Sequence, residues 1–281
     1  MKTVILSMCC AAGLASAAGA GTTTVLTSFG NTLFVTQGGS TTSFPISDDL
    51  TSMAVAPDGT IWATSQTDND NDGFYEIYTI TNPTTAPTLN PMGDFLLDNT
   101  PSLTFINGQM YGLQKVAGQD NDTRLITINP GAMTQATVGN TGIFNINANG
   151  LGYDAPNDTL YTMSKGPIGD TWTLDYTAVS PADPTNTLVG SLGERTNNHG
   201  AEFYDGVLYV AIQDIDELNP GMFKLRLGTV DAMTGDWTEL EVLADNWDQA
   251  NGLQVGVAVI PTPGALALAS FAGIAGLRRK R

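Results

Sequence analysis

Residues 200–210 read G-A-E-F-Y-D-G-V-L-Y-V, and this segment decides the fold. A small residue, Gly200, opens a short apolar run that contains Phe203. Asp205-Gly206 then supplies a tight turn, and a second apolar run follows with the aromatic Tyr209 inside it. Short β-favouring runs on either side of an Asp-Gly pair are typical of a β-hairpin.

The same pattern recurs through the chain at a nearly constant interval. Units open at Ser52, Ser102, Gly150, Gly200 and Gly252, so successive openings are 48 to 52 residues apart. In each of the first four units a turn that contains Asn or Asp leads to a second apolar run, and this run carries an aromatic residue. A fixed period of about 50 residues indicates a repeat architecture rather than one continuous sheet.

Two further apolar runs follow the hairpin in each complete unit. The predicted third strands are Glu76–Ile80, Leu125–Ile128, Trp172–Val179 and Met222–Leu227, and the predicted fourth strands are Met92–Leu96, Ala136–Val138, Leu188–Leu192 and Trp237–Leu243. Four antiparallel strands per repeat are typical of a β-propeller blade. The first strand of each blade would line the axis, where small residues let neighbouring backbones approach.

The ends of the chain complete a fifth blade in this interpretation. Its first strand would be Gly252–Val259, and its other strands would be Thr23–Phe29, Thr32–Thr36 and Thr42–Ile46. Sharing one blade between the two ends closes the ring and removes open sheet edges. The sequence therefore predicts an all-β, five-bladed β-propeller with four-stranded blades across residues 21–260; a solenoid or a sandwich is the alternative.

A three-part segment follows the propeller at residues 261–281. Pro261, Thr262, Pro263 and Gly264 come first, and an apolar run from Ala265 to Leu277 is predicted to form a helix. At about 1.5 Å per residue this helix would be roughly 20 Å long, which makes it a short membrane anchor. The chain then ends in four basic residues that favour the cytoplasmic side: Arg278, Arg279, Lys280 and Arg281.

This order of motifs resembles the PEP-CTERM sorting signal of Gram-negative bacteria, although Thr262 stands where that family has Glu. The resemblance implies that an exosortase, a membrane-embedded processing enzyme, cuts the tail near Pro261–Gly264. It also implies transient retention in the inner membrane, followed by release to the cell surface or the extracellular matrix, where exopolysaccharide is a possible partner. An ordinary C-terminal membrane anchor is the alternative.

Residues 1–20 have the features of a secretory signal peptide. Lys2 precedes an apolar run from Val4 to Leu14, and small residues up to Ala20 offer a cleavage site. Both cysteines, Cys9 and Cys10, fall within this peptide, so the exported chain is expected to contain neither disulfides nor cysteine metal ligands.

The propeller region is strongly acidic. Residues 21–260 contain all 28 acidic residues and six of the 11 basic ones, which gives a net charge of about −22. Such a charge repels the phosphates of nucleic acids and anionic membranes, so neither is an expected partner. The same charge favours solubility and the binding of divalent cations.

One acidic segment has the spacing of a calcium loop. Asp68, Asp70 and Asp72 alternate with asparagines and are followed by Gly73, the opening of an EF-hand-type sequence. Thr79 stands where the closing Glu is expected, and Glu76 is the candidate substitute. Calcium is therefore a possible cofactor, and a solvated hairpin tip is the alternative. Asp120–Asp122 and Asp214–Glu217 are shorter acidic segments in the equivalent loops.

No catalytic motif is evident. His199 is the only histidine, so a zinc site made of several histidines is excluded, and its place before Gly200 predicts a position at one mouth of the axis. Asn149, Asn251, Thr51 and Pro101 occupy the matching positions. A non-enzymatic extracellular propeller is the leading interpretation. A secreted carbohydrate-active hydrolase is the alternative, but it needs paired carboxylates, and Glu202 is the only acid on the predicted inner strands.

Overall fold

The computed structural model describes residues 23–68, 70–116, 119–143, 148–165, 169–177, 186–193, 198–215, 222–248 and 254–260. Within them the chain forms 20 β-strands: β1 (Thr24–Phe29), β2 (Thr32–Gln37), β3 (Ser40–Pro45), β4 (Leu50–Val55), β5 (Ile61–Ser65), β6 (Tyr75–Thr81), β7 (Thr88–Leu96), β8 (Ser102–Ile106), β9 (Gln109–Val116), β10 (Gln119–Asn129), β11 (Thr134–Asn140), β12 (Ala148–Asp154), β13 (Thr159–Ser164), β14 (Asp170–Leu174), β15 (Asn186–Ser191), β16 (Asn198–Tyr204), β17 (Val207–Ile215), β18 (Met222–Val230), β19 (Trp237–Asp248) and β20 (Val255–Ile260).

These strands form five antiparallel four-stranded sheets. Blades 1 to 4 use consecutive strands: β4–β7, β8–β11, β12–β15 and β16–β19. The first strand of each blade lies beside the first strand of the next, and β20 contacts both β16 and β4. The chain is therefore an all-β, five-bladed β-propeller with four-stranded blades, as the repeat predicts.

Blade 5 is built from both ends of the described chain, in the order β20-β1-β2-β3. Strand β20 pairs antiparallel with β1 along its whole length, from Thr24 opposite Ile260 to Phe29 opposite Val255. This pairing confirms the predicted closure. Strand β20 is an edge strand of its blade, and its unpaired side faces the packed axis, where the other inner strands shield it from pairing with another chain.

The predicted register of β20 was wrong by four residues. Gly256 and Val257, rather than Gly252 and Leu253, lie at the axis beside Ser52 and Met53 of β4. Residues 251–253 lie outside the described residues. The segment V-G-V-A-V-I contains its own small residue at Gly256, and a period that varies by a few residues cannot distinguish the two alignments.

Tight turns and small residues explain the local geometry. The turns Asn107-Gly108 and Asp205-Gly206 have positive φ at both residues, as two-residue type I′ hairpins require. At Gly200 an added Cβ would lie 2.7 Å from the carbonyl oxygen of Val255, so a side chain there would collide with the neighbouring inner strand. The repeat therefore begins with small residues because the backbones crowd at the axis.

Apolar contacts between blades hold the ring together. Each seam, meaning the interface between two neighbouring blades, contains one buried apolar cluster. The seam between blades 4 and 5 includes Phe29, Leu225 and Val257. Burying one large apolar side chain fully contributes about 1.5–3 kcal/mol, so the five clusters are the main source of stability.

The helix predicted at Ala265–Leu277 lies outside the described residues, as do the predicted signal peptide and Pro261–Arg281. Across the part of the chain that the structure describes, no helix has the length and apolar character needed to cross a membrane.

Candidate functional site at the mouth of the axis

The centre of the propeller is nearly filled. The inner strands β4, β8, β12, β16 and β20 enclose an empty volume of only about 130 Å³. Its walls include the apolar side chains of Met53, Leu103 and Leu151 together with the backbone of the small residues. Between the described inner strands, a packed axis of this kind leaves no deep central pocket for a substrate.

Polar side chains collect instead at the mouth, meaning the end of the axis where the five inner strands begin. Thr51 donates its hydroxyl hydrogen bond to the side-chain carbonyl of Gln254, and both residues are buried. The backbone N–H of Gln254 donates to Oε1 of Gln66 at 2.9 Å. These contacts tie β20 to blade 1, and they place Thr51 at the mouth as its sequence position predicts.

A chain of buried amides spans blades 3 and 4 at the same end. Asn149 donates to Oδ1 of Asn198 at 3.4 Å, and Asn198 donates to Oε1 of Gln213 at 2.6 Å. Two atoms of this chain, Oδ1 of Asn149 and Nε2 of Gln213, have no hydrogen-bond partner among the described residues. A buried polar atom without a partner lowers the free energy of unfolding by about 1–3 kcal/mol, so this arrangement destabilises the folded protein.

His199 lies beside these amides and is 1% exposed. Neither ring nitrogen has a hydrogen-bond partner among the described residues. Burial lowers the pKa of His199 to about 3, and the positive charge of Lys165 adds to the effect. The imidazole is therefore neutral at physiological pH and presents one N–H donor and one acceptor.

Lys165 follows β13 at the same end of blade 3. Burial lowers the pKa of Lys165 to about 8, and the charge of Lys115 contributes to the shift. Lys165 is therefore still mostly protonated at pH 7. Taken together, Asn149, Lys165, Asn198, His199 and Gln213 form what we call the mouth cluster.

The inner strands carry two acids rather than the single one predicted. Strand β12 extends to Asp154, which accepts a hydrogen bond from Nδ2 of Asn157 at 2.6 Å and lines an open cleft of about 580 Å³ at the opposite end of the propeller. Glu202 lies on β16, and its Oε2 is buried with no hydrogen-bond partner among the described residues. Burial raises the pKa of the Glu202 carboxyl well above its usual range, and no carboxylate of the described residues contributes to the shift.

The structure brings together three of the four predicted metal ligands of the acidic loop. One carboxylate oxygen from each of Asp68, Asp70 and Asp72 lies within 4.8 Å of the others. The backbone N–H of Gly73 donates to Oδ2 of Asp68 at 2.8 Å and fixes that carboxylate. Glu76 does not belong to this group, because its Oε2 accepts a hydrogen bond from the Ser65 hydroxyl at 2.7 Å.

The other acidic segments give no comparable group among the described side chains. Asp214 forms an ion pair with Arg226 at 3.1 Å. The side chains of Asp120–Asp122 lie outside the described residues, as do Asp216 and Glu217. Of the predicted mouth residues, Pro101 lines the central void and Asn251 lies outside the described part.

Lys165, Asn198 and Gln213 were missed by sequence reasoning. Lys165 follows β13, the second strand of blade 3, and Gln213 lies on β17, the second strand of blade 4, so neither belongs to the start of a repeat. Aligning the second strands of the blades with one another could have found them. The first two strands of a blade are antiparallel, so the end of the second strand lies beside the start of the first.

No family model and no curated protein sequence matches the chain. Solved structures do resemble it. TolB from Acinetobacter baumannii aligns with a TM-score of 0.50 at 14% identity, covering 85% of this chain and 67% of TolB. At this identity the likeness shows the fold alone.

Two other similar structures fall below that TM-score. A putative oxidoreductase (glucose dehydrogenase) from Thermus thermophilus gives 0.43 at 12% identity, covering 84% of this chain and 83% of that one. An engineered GH43 glycoside hydrolase with endo-xylanase and exo-arabinofuranosidase activity gives 0.49 at 11% identity, covering 72% of this chain and 42% of that one. Neither carries an argument about function.

Proposed function

We propose that this chain is an exported bacterial surface or extracellular-matrix protein, a non-enzymatic β-propeller delivered by a PEP-CTERM-like tail. The observation that carries the non-enzymatic part is the packed axis, with an empty volume of about 130 Å³. A propeller with a filled centre can still recognise a partner through its loops, because the scaffold holds them rigidly.

The arrangement of acids supports the same proposal over a hydrolase. Hydrolysis of a glycosidic bond by the usual route requires two carboxyl groups about 5–9.5 Å apart around the substrate. Burial raises the pKa of Glu202, and no described carboxylate contributes to that shift. Asp154 is held by Asn157 beside a separate cleft.

Delivery is proposed from the sequence at the two ends. Residues 1–20 would direct export, Ala265–Leu277 would pause in the inner membrane, and an exosortase would cut near Pro261–Gly264. Two prolines keep the backbone before the apolar run extended, which would leave it accessible to a protease. The propeller ends its last strand at Ile260, one residue before Pro261, so cutting there would leave blade 5 intact.

Mass spectrometry of the mature C-terminus, isolated from the native host, tests this proposal. We expect the released protein to end near Pro261–Gly264. Deleting Arg278–Arg281 should weaken membrane retention, because these charges fix the orientation of the tail. Deleting Pro261–Gly264 should leave an uncut precursor in the membrane. An extracellular protein that still ends at Arg281 would refute the sorting proposal.

A screen of the purified protein against polysaccharides tests the non-enzymatic half. We expect binding without release of reducing sugar ends. Hydrolysis that disappears in Glu202→Gln would overturn this half of the proposal, since that substitution removes the only acid from the middle of a described inner strand. Hydrolysis that survives in Glu202→Gln would overturn it as well and would point to acids in the loops.

A further inference from the structure

The open cleft of about 580 Å³ lies where blades 3 and 4 meet, at the end of the propeller opposite the mouth. Three turns enclose it, namely those that join β12 to β13, β16 to β17 and β18 to β19, and they contribute Asn157, Gly206 and Met233 respectively. Pockets for small ligands usually have volumes of about 300–1,000 Å³, so this cleft is large enough to hold one.

The floor of the cleft is apolar and aromatic. The rings of Tyr161 and Phe203 are stacked, with centroids 5.8 Å apart and planes 10° apart, and both residues line the cleft. They pack in the apolar cluster of the seam between blades 3 and 4, which fixes their positions. Phe203 is only half-buried, so part of its ring is open to the cleft. Such a ring offers an apolar surface and a π face that attracts cations.

The charged residues of the cleft are two acids, Asp154 and Asp231. The exposed Asp231 accepts hydrogen bonds through Oδ1 from the backbone N–H groups of Met233 and Thr234, at 2.8 and 3.1 Å. Its Oδ2 accepts no hydrogen bond from the described residues and is available to a ligand. Asp154 is 3% exposed, so it contributes mainly its negative charge.

These charges favour a cationic ligand. No lysine or arginine among the described residues lines the cleft, and residues 21–260 carry a net charge of about −22. The field of the protein therefore attracts cations to this cleft. A metal ion is a poor match, because Asp154 and Asp231 do not belong to the one group of three converging metal ligands found among the described residues.

The neutral polar group in the cleft narrows the class of cation. Asn157 is exposed, and its Nδ2 donates one N–H to Oδ2 of Asp154, which leaves a second N–H and the carbonyl oxygen Oδ1 for a ligand. A hydroxyl group can satisfy both, because it accepts as well as donates. A lysine or arginine side chain only donates. The cleft therefore suits a ligand that combines a positive charge, hydroxyl groups and an apolar ring face.

We propose that this cleft binds an amino sugar whose amine is protonated, with the ammonium group on Asp231, the sugar ring against Phe203 and hydroxyl groups on Asn157. The cleft is open to solvent, so the sugar can be free or part of a polysaccharide chain.

This inference rests on the proposed function, since it names the ligand class of a propeller proposed to act by binding. The two can fail separately. If the polysaccharide screen finds binding only to neutral or acidic chains, the proposed function survives and the amino-sugar site does not. If the tail is not processed, delivery fails and the cleft is unchanged.

Isothermal titration calorimetry of the full chain with the glucosamine disaccharide of chitosan tests the site, at about pH 6, where the amines are protonated and the aspartates are ionised. Cellobiose is the matched ligand control, since it has hydroxyl groups in place of the two amines. We expect cellobiose to bind at least about tenfold more weakly, because hydrogen bonds between charged groups are about twice as strong as neutral ones. A lysine tripeptide, which has the charge without the sugar rings, should bind at least about threefold more weakly.

The first test variant is Asp231→Asn, which keeps an oxygen acceptor for the backbone N–H groups of its turn and removes the charge. It should weaken binding of the glucosamine disaccharide about three- to tenfold and leave binding of cellobiose unchanged. The matched control is Asp58→Asn. Asp58 accepts the backbone N–H of Thr60 at 2.9 Å in a turn of blade 1, away from the cleft, so affinity should change less than about twofold.

The second test variant is Phe203→Leu, which keeps an apolar side chain in the seam and removes the ring. It should weaken binding of the glucosamine disaccharide about two- to fivefold. Phe105→Leu is the matched control, since Phe105 is a partly buried ring at the equivalent position of blade 2. It should lower the melting temperature by a similar amount without changing affinity, which separates a contact with the ligand from a purely structural role.

The proposal is overturned if the glucosamine disaccharide gives no binding heat up to about 10 mM, or if Asp231→Asn binds it as the wild type does. Equal binding of cellobiose would show that the amine is not recognised. Equal binding of the lysine tripeptide would assign the cleft to cationic peptides and would overturn the proposal as well.

Discussion

The seams and the mouth of this propeller differ in what they bury: the seams bury apolar side chains, and the mouth buries polar ones. Each of the five seams buries a contiguous apolar cluster, such as the one that joins Phe29, Leu225 and Val257 between blades 4 and 5. The mouth buries Asn149, His199 and Gln213 with polar atoms that no described residue satisfies. The seams therefore explain why the ring is stable, whereas the unpartnered polar atoms at the mouth lower its stability.

Glu202 is an exception to this difference between seams and mouth, because it is an acidic residue buried within a seam. Its neighbours on β16, Ala201 and Phe203, pack in the cluster between blades 3 and 4. Side chains alternate along a strand, so Glu202 faces the other side, toward blade 5. Thr27, on the facing blade, also has a buried hydroxyl without a partner among the described residues. The seam between blades 4 and 5, which closes the ring, thus buries polar atoms as well as apolar side chains.

The largest effect is expected from emptying that closing seam. Phe29→Ala removes a fully buried ring, so it should lower the free energy of unfolding by about 3–5 kcal/mol through lost burial and the cavity left behind. Chemical denaturation followed by tryptophan fluorescence measures the change. Leu240→Ala is the control: Leu240 is 56% exposed, and its loss should change stability by less than about 0.5 kcal/mol.

Equal stability of these two variants would contradict the assignment of stability to the seams. It would also weaken the case for ring closure, because Phe29 lies on β1, opposite Val255 of β20.

A smaller effect, with a defined pH dependence, is expected at Glu202. Its folded-state pKa is raised above the ordinary value of 4.5, so the folded protein binds a proton more tightly than the unfolded chain. The resulting stability is fully present below pH 4.5 and is lost as the pH rises through the folded-state pKa. Glu202→Gln, which mimics the protonated carboxyl, removes this loss.

Unfolding of Glu202→Gln and of the wild type should be compared between pH 4 and pH 8. The variant should match the wild type near pH 4 and become relatively more stable at higher pH, by at most about 1.4 kcal/mol per pH unit. A constant difference between Glu202→Gln and the wild type would mean that Glu202 does not titrate differently in the folded protein.

The seams were easier to predict from the sequence than the mouth. Apolar periodicity and Asn/Asp-Gly turns are local, so the blade count, most strands and the closure of blade 5 could be predicted. The register of β20 could not, since both Gly252-Leu253 and Gly256-Val257 fit a small residue followed by an apolar one. The sequence also did not show that the inner strand β12 extends as far as Asp154, because the ends of strands depend on tertiary packing.

The mouth cluster depends on residues that meet only in three dimensions. His199 could be placed at the mouth because it precedes the small residue that opens a repeat. Lys165 follows β13 and Gln213 lies on β17, 48 residues further along the chain, which is within the range of the repeat interval. Aligning the second strands of the repeat could therefore have placed both residues at the same end as His199, but the sequence does not show that their side chains are buried there. Sequence composition shows that residues 21–260 have only six basic residues, but it cannot show which of them lacks an acidic partner.

The smallest effect is expected at the acidic loop, which belongs to neither region. Calcium normally takes 6–8 oxygen ligands. Asp68, Asp70 and Asp72 bring three carboxylates within reach of one another, and Glu76 is held by Ser65 instead. Water would have to complete the coordination, so we expect the weak affinity of extracellular calcium modules, with a Kd of about 10⁻⁴–10⁻³ M.

Differential scanning calorimetry with calcium at about ten times this Kd should therefore raise the stability by about 1.4 kcal/mol, the mass-action value for one site that binds only the folded state. Asp70→Asn should abolish the increase, since it removes one of the three converging charges. Asp205→Asn is the matched control: it removes an equal charge from an exposed hairpin turn whose positive φ suits Asn, so its response to calcium should equal that of the wild type. Because the loop lies outside the seams, calcium should leave the cost of Phe29→Ala unchanged. An increase that persists in Asp70→Asn would assign the calcium effect to the general acidity of the surface rather than to this loop.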